Sequence, residues 1–294
     1  MAHIKRSAMG GLSSIFCSLI HNRRLKACAS SDLGALIDST PHRESARRTA
    51  YDYPRSTSFM THPFPFLTTL LLALATTLHA VEPLKAFTPG TRILFQGDSI
   101  TDGNRGRSAD PNHILGHGYA FIIAAKFGAA FPEAKLEFIN RGISGNTVLD
   151  LEKRWQKDTL DLKPDLLSIL IGVNDKGRGV PLETYEQTYD KIITQAKAAN
   201  PQLKLVLCEP FVVNHLATDP QHGSPNADIV KRQEIVARLA KKHGAALVHF
   251  QAALDLATAR APAAHWIWDD IHPTYSGHQI LADEWERTVK EFWP

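Results

Sequence analysis

Five short apolar runs alternate with longer amphipathic stretches from residue 92 onward, and this alternation restricts the possible folds more than any other feature. The apolar runs lie at 92–96, 136–139, 165–171, 203–208 and 246–250. The stretches with helical spacing are Gly118–Ala130, Thr147–Asp158, Leu182–Ala199 and Ala227–His243, and a last one runs from Tyr275 to Phe292. Strands that alternate with helices predict a parallel sheet covered on both faces and joined by right-handed crossovers.

The first 59 residues differ from the rest in composition. They carry nine Lys or Arg against four Asp or Glu and show no sustained helical or strand period. We interpret 1–59 as a disordered leader or as translation from a start codon placed too early. An organelle transit peptide is the alternative, since such peptides are rich in Arg and Ser and poor in acids. The four acidic residues argue against it.

Residues 60–80 contain no Lys, Arg, Asp or Glu. An apolar core from Phe66 to Leu78 is followed by Ala80, a small residue suited to the position before a signal peptidase cut. The core is shorter than the roughly 20 apolar residues that span a bilayer. It predicts a secretory signal peptide and a periplasmic or secreted product without a stable membrane anchor, although no Lys or Arg lies between Met60 and the core.

The remaining residues, 81–294, have the size of a single domain. They carry 24 Lys or Arg and 26 Asp or Glu, so they present no net positive charge to a nucleic acid. Cys208 is the only cysteine after residue 80, which excludes a disulfide within the processed chain. Because it ends an apolar run, we predict a buried structural thiol rather than a nucleophile.

Four short polar motifs follow the predicted strands or lie near the C-terminus. They are Gly97-Asp98-Ser99, Asn140-Arg-Gly-Ile-Ser-Gly-Asn146, Ile171-Gly-Val-Asn-Asp175 and Asp269-Asp-Ile-His-Pro273. The carboxyl ends of parallel strands lie at one edge of a sheet, where ligands bind. We therefore expect all four motifs to meet at that edge.

The residue types in these motifs suit acyl transfer. A serine hydroxyl such as that of Ser99 needs a base to become a nucleophile, and His272 can accept its proton. Asp269, three residues before His272, can orient the imidazole, and Asp270 is the competing carboxylate. A tetrahedral intermediate carries an oxyanion that needs preorganised donors. The remaining motifs offer two such donors, which are the backbone N–H of Gly142 and the side-chain amide of Asn174, while the Ser99 N–H is a third.

In this order, the motifs resemble those of the SGNH hydrolases, also called GDSL esterases and lipases, over roughly residues 92–292. The four residues that name the family match Ser99, Gly142, Asn174 and His272, and the family spacing favours Asp269 over Asp270. The resemblance implies a three-layer α/β/α flavodoxin-like fold with a five-stranded parallel sheet. It also implies ester hydrolysis through an acyl-serine, without a cofactor. The Gly-x-Ser-x-Gly elbow of ordinary α/β-hydrolases is absent.

Other residues near the motifs bear on ligands. Trp266 and Trp268 alternate just before Asp269, where they either pack beneath the catalytic loop or form a wall that stacks on sugars. The histidines outside the motif, such as His117 and His278, form no spaced metal pattern, so we predict no metal. The loop at 211–226 is a candidate lining of the substrate pocket.

These observations predict an exported serine esterase that hydrolyses carboxylic esters on a small molecule or polysaccharide. An exported member with Trp near the site and no extended apolar loop resembles carbohydrate esterases that remove acetyl groups. A short acyl group, above all acetyl, on a carbohydrate is therefore the expected substrate. A lysophospholipase or lipase-type esterase is the alternative. A catalytically silent carbohydrate-binding protein on the same fold is the alternative from another class. The sequence does not determine the oligomeric state.

Overall fold

The five apolar runs form the five strands of one all-parallel sheet in the computed structural model, which describes residues 81–213 and 227–294. The strands are β1 (Arg92–Gly97), β2 (Glu137–Asn140), β3 (Leu166–Leu170), β4 (Lys204–Cys208) and β5 (Ala246–Val248). Their order across the sheet is β2-β1-β3-β4-β5. The predicted leader and signal peptide at 1–80 lie outside the described residues, as does most of the 211–226 loop.

The helices of the described residues follow the predicted stretches and add four that were not predicted. They are α1 (Ser99–Asp102), α2 (Tyr119–Ala130), α3 (Val148–Trp155), α4 (Val173–Gly177), α5 (Leu182–Ala199), α6 (Ala227–His243), α7 (Phe250–Thr258), α8 (Ala263–Trp266) and α9 (Tyr275–Phe292). The additions are α1, α4, α7 and α8. Helix α7 begins at Phe250, a residue assigned from the sequence to the last strand.

Two apolar cores lie on opposite faces of the sheet, because successive side chains of a strand point to opposite faces. On one face, Ile93 and Phe95 of β1 pack in a core with Trp285 of α9 and residues of α2 and α7. On the other face, Leu94 packs in a core with Tyr189 of α5 and residues of α3 and α6. The three inner strands β1, β3 and β4 are buried on both faces, and the predicted three-layer α/β/α fold is confirmed.

A polar side chain inside β1 is satisfied by an irregular helix end. Helix α3 continues as a π-helical turn, Gln156–Leu160. Gln96 is fully buried and donates from its amide to the carbonyl of Asp158 at 2.6 Å and to Thr159 Oγ1 at 2.8 Å. The wider turn leaves backbone carbonyls without their usual helical donors, and the Gln96 amide supplies a donor to one of these carbonyls.

Two further features of the described residues concern the sequence-based expectations. Cys208 is fully buried at the end of β4, as predicted, and burial raises the pKa of its thiol. Among the helices of 81–213 and 227–294, none combines the length and the apolar character needed to cross a membrane.

Candidate active site

Ser99 stands at the carboxyl edge of the sheet because β1 ends at Gly97 and α1 begins two residues later. A Cβ on Gly97 would lie 2.4 Å from the carbonyl oxygen of Leu170 and 2.4 Å from Thr101 Oγ1, so only glycine permits this turn. Asp98 caps α1 by accepting a hydrogen bond from the Ile100 N–H at 3.1 Å. Ser99 is thus the first residue of a helix, where backbone N–H groups have no partner within the helix.

The loop between α8 and α9 carries His272 to the serine. His272 Nε2 lies 2.8 Å from Ser99 Oγ, although the two residues are 173 positions apart in sequence. On the other side of the ring, Nδ1 lies 2.7 Å from Asp269 Oδ2. The second oxygen of Asp269 accepts hydrogen bonds from the backbone N–H of His272 at 2.7 Å and from that of Ile271 at 3.2 Å.

These hydrogen bonds keep the Asp269 carboxylate ionised and set the tautomer of His272. Burial raises the pKa of Asp269, but the hydrogen bonds from His272 and Ile271 outweigh it and leave that pKa below its ordinary value. The carboxylate is therefore ionised at neutral pH and accepts the Nδ1 proton of His272. The lone pair of Nε2 then faces the Ser99 hydroxyl, which is the tautomer that a general base requires.

Asp269, and not Asp270, is the carboxylate that contacts the imidazole. Asp270 has a positive φ of 72°, and its carbonyl accepts a hydrogen bond from the Val213 N–H at 2.8 Å. The positive φ turns the chain between Asp269 and His272. The competition between the two neighbouring acids is thus resolved by the geometry of this turn.

Asn174 extends from the start of α4, just past β3. Gly172, with φ of 139°, makes the turn into this helix. The side-chain amide of Asn174 donates from Nδ2 to the backbone carbonyl of Asn146 at 3.2 Å. The third motif is thereby joined to the end of the second.

Gly142 has a different role from the one expected of it. Its N–H donates to Asn140 Oδ1 at 2.9 Å within its own turn, so this N–H is not free to hold an oxyanion. A Cβ on Gly142 would lie 2.4 Å from the Asp102 nitrogen. The absence of a side chain at Gly142 therefore serves close packing of the turn against α1 rather than access to a substrate.

Gly145, which sequence reasoning missed, is the second glycine of the same motif. A hydrogen bond of 3.1 Å from the Asn146 N–H to the Ile143 carbonyl closes a β-turn in which Gly145 has φ of 80°. That φ at the third turn position is typical of a type II turn and favours glycine. The Gly145 N–H has no acceptor within the described residues, and it precedes the residue that binds Asn174. The Gly-Ile-Ser-Gly spacing was the available signal.

Two buried carboxyl groups stabilise the turns that carry these motifs. Burial raises the pKa of Asp98 to about 7, and the neighbouring charge of Asp175 contributes to the increase. Burial also raises the pKa of Asp175 to about 6, against the hydrogen bond that it accepts from the Val148 N–H at 2.9 Å. Each carboxyl thus holds the N-terminal turn of a helix, Asp98 that of α1 and Asp175 that of α3.

The two tryptophans have separate environments. Trp266 is 6% exposed and donates from Nε1 to the Ala261 carbonyl at 3.2 Å, so it packs beneath the loop and is not a substrate wall. Trp268 is 65% exposed, and its ring stacks on that of His272 with a centroid distance of 6.3 Å and an interplanar angle of 30°. Trp266 is the last residue of α8 and Trp268 follows its extended C-cap Ile267, so the backbone changes conformation between the two rings.

Metal ligation finds no support in the described part of the chain. Within 81–213 and 227–294, no three His, Cys, Asp or Glu side chains are grouped as a metal site requires. The arrangement of serine, imidazole and carboxylate can perform nucleophilic acyl transfer with protein groups alone.

Comparison with known proteins agrees with the motifs. The sequence model of the GDSL-like Lipase/Acylhydrolase family matches residues 95–280. An acetylxylan esterase of Geobacillus stearothermophilus is 33% identical over 217 residues, which make up 69% of this chain and 96% of that relative.

Solved structures give the same result. The crystal structure of an acetylxylan esterase from Geobacillus stearothermophilus is similar with a TM-score of 0.62 and 32% identity, over 69% of this chain and 96% of that one. An alpha/beta hydrolase enzyme from the metagenome of Lake Arreo, Spain, has a TM-score of 0.62 and 33% identity, over 69% and 97%. With this sheet order, these four motifs and these relatives, the chain belongs to the GDSL-like, or SGNH, hydrolase family and is a carboxylic ester hydrolase.

Proposed function

We propose that this protein removes short acyl groups, above all acetyl groups, from carbohydrate through an acyl-serine intermediate. The observation that carries the proposal is the continuous chain of contacts from Ser99 Oγ through His272 to Asp269, at 2.8 and 2.7 Å. The exposed face of Trp268 beside His272 supports a sugar as the alcohol half, since aromatic faces stack on apolar surfaces of ligands. Relatives that act on acetylxylan and acetyl-xylooligosaccharide support the same substrate class.

In the first half of the reaction, Ser99 Oγ attacks the ester carbonyl carbon while His272 Nε2 accepts its proton. Asp269 stabilises the imidazolium that forms. The C–O bond to the alcohol then breaks, and His272 returns the proton to the leaving alkoxide oxygen. The product of this half is the acyl-serine and the free alcohol.

Water completes the cycle. His272 takes a proton from a water molecule, whose oxygen attacks the acyl carbon. The bond to Ser99 Oγ breaks, and His272 gives the proton back to the serine. In both halves the oxyanion is held by the Ser99 N–H and the Asn174 amide, and we propose the Gly145 N–H in the place that the sequence assigned to Gly142.

Hydrolysis of p-nitrophenyl esters of increasing chain length, with Ser99→Ala beside the wild type, tests this function. Activity greatest on the acetate, and absent in Ser99→Ala, is the expected result. A maximum on long acyl chains would replace the carbohydrate substrate with a lipid one. Labelling by a fluorophosphonate that persists in Ser99→Ala would contradict the assigned nucleophile.

We also propose that the chain is exported, with cleavage after Ala80. The support is the uncharged apolar segment at 66–78 followed by small Ala80. N-terminal sequencing of protein recovered from the periplasm or medium of a producing cell tests this proposal. A sequence that begins at Val81 is expected, whereas protein retained in the cytoplasm with residues 60–80 intact would refute it.

A further inference from the structure

The segment between α1 and α2 forms a closed loop at the edge of the candidate site. Its two ends meet where the His117 N–H donates to the carbonyl of Gly103 at 2.9 Å. Inside the loop, the Gly106 N–H donates to the carbonyl of His113 at 2.7 Å. Compact loops whose ends lie close together are frequently functional. This loop begins four residues after Ser99.

Buried side chains hold this loop in place. Asp102, at the end of α1, is 1% exposed and accepts hydrogen bonds from Arg107 Nη2 at 2.7 Å and from the Arg105 N–H at 3.0 Å. Asn140 donates from its amide to the Leu115 carbonyl at 2.9 Å. The loop is therefore anchored to the element that carries the serine and to the end of β2, which gives its residues defined positions.

The glycines beside His117 bring its backbone against α1. A Cβ on Gly116 would lie 2.5 Å from the carbonyl oxygen of Asp102, and one on Gly103 would lie 3.1 Å from the His117 nitrogen. Substituting either glycine would push the chain away from the helix. His117 is therefore held close to the helix that starts at Ser99, while its own side chain is exposed.

His278 of α9 lies against the backbone that directly follows His117. Its Nδ1 accepts a hydrogen bond from the Tyr119 N–H at 3.2 Å, two residues after His117. Burial lowers the pKa of His278 to about 4, and the charges of both His117 and His272 contribute to the decrease. His117 and His272 therefore both lie within electrostatic range of the same buried imidazole.

The imidazole of His117 is available to bind a ligand. It forms no hydrogen bond or ion pair within the described residues. By contrast, His113 of the same loop is paired with Asp110 at 3.7 Å. A neutral imidazole offers one donor and one acceptor, which is the pattern that a sugar hydroxyl matches.

We propose that His117 is a specificity-determining residue that hydrogen-bonds a hydroxyl of the sugar carrying the ester, while the exposed face of Trp268 stacks on that sugar. This inference rests on the proposed carbohydrate substrate. Trp268 stacks on His272, where the leaving alcohol receives its proton. Both His117 and His272 lie within electrostatic range of His278. Trp268 and His117 therefore contact the alcohol half of the ester and not the acyl group.

The test compares kcat/KM on an acetylated xylo-oligosaccharide with kcat/KM on p-nitrophenyl acetate, whose alcohol half has no sugar hydroxyl. For His117→Ala, we expect the ratio of the two values to fall on the order of five- to tenfold, the effect of one lost hydrogen bond. His117→Gln, which keeps a donor and an acceptor, should restore part of the ratio. His113→Ala, in the same loop, is the matched control and should leave the ratio unchanged.

The outcomes are distinguishable. If the wild type is active on the oligosaccharide and His117→Ala has the same ratio, the role of His117 is overturned. The carbohydrate substrate is not overturned by that result. Equal losses on both substrates also overturn the role of His117, because they indicate a structural or general catalytic effect. A wild type that hydrolyses p-nitrophenyl acetate but no acetylated oligosaccharide refutes the carbohydrate substrate, and the inference with it.

Discussion

Asp269 binds His272 at two points at once, through the backbone N–H and through ring Nδ1, both at 2.7 Å. One carboxylate therefore sets both the path of the loop and the orientation of the imidazole. This relationship is local, since the residues are three positions apart. The contact between His272 and Ser99, by contrast, requires the packing of α9 and β1 in the complete fold.

Replacement of Asp269 by Asn should lower kcat on the order of 10³–10⁴-fold, because an amide does not stabilise the imidazolium or enforce the required tautomer. Asp270→Asn is the matched control, since Asn tolerates the positive φ at that position. It should change kcat by less than about twofold. Steady-state kinetics on p-nitrophenyl acetate decide between them, and an equal loss in both variants would contradict the assignment of Asp269.

Removal of the Asn174 amide should lower kcat with little change in KM. The donor stabilises an oxyanion that exists only in the transition state, so Asn174→Ala should cost on the order of 10²–10³ in kcat. Measurement of kcat and KM separately on the same ester checks this prediction. A raised KM with an unchanged kcat would instead assign Asn174 to ground-state binding.

Substitution of Gly142 by Ala should destabilise the protein by roughly 1–3 kcal/mol or more, because the new Cβ would lie 2.4 Å from a backbone nitrogen of α1. Gly128→Ala is the control, and its expected effect on stability has the opposite sign. Gly128 lies within α2, and its Cβ would meet no atom within 4 Å, so this change should stabilise by about 0.5–1 kcal/mol. Urea unfolding measures both, and a Gly142→Ala variant as stable as the wild type would contradict the packing argument.

The buried carboxyl of Asp98 predicts a stability that falls as the pH rises. Its pKa of about 7 in the folded protein lies above the ordinary value of 3.8, so the folded state retains a proton that the unfolded chain loses in this interval. Asp98→Asn keeps an N-cap acceptor without the titration. It should raise the free energy of unfolding at pH 8 by roughly 1–2 kcal/mol relative to the wild type, with no such gain near pH 4.

Urea unfolding of both proteins at pH 4, 6 and 8 makes this comparison. Asp175, with a pKa raised to about 6, contributes in the same direction and leaves a residual slope in the variant. An equal difference between wild type and Asp98→Asn at all three pH values would exclude titration of Asp98 as the cause.

The sequence predicted much of the fold because the relevant information is local. Buried parallel strands need continuous apolar runs, and all five runs became strands. The long helices followed their apolar spacing in the same way. Helices α7 and α8 were missed because they are short and directly follow other elements, so their ends depend on packing against α9 rather than on a clear period.

The composition of the candidate site could also be predicted in part. Ser99, His272 and Asp269 stand in motifs whose residue types indicate acyl transfer without any coordinates. The partner of the Gly142 N–H could not be predicted, because it depends on the side chain of Asn140 turning back into its own loop. The sequence also could not show that Trp266 is buried and Trp268 exposed, because the two residues are identical and lie only two positions apart.

The sequence by itself thus determined the alternation of strands and helices, the four motifs and the pairing of Asp269 with His272, because each depends on neighbours in the chain. Tertiary structure alone decided which glycine N–H is free, which tryptophan faces solvent and that the backbone just after His117 binds His278. Those properties arise where segments distant in sequence pack together, and side-chain direction at such contacts depends on the partner surface rather than on local spacing.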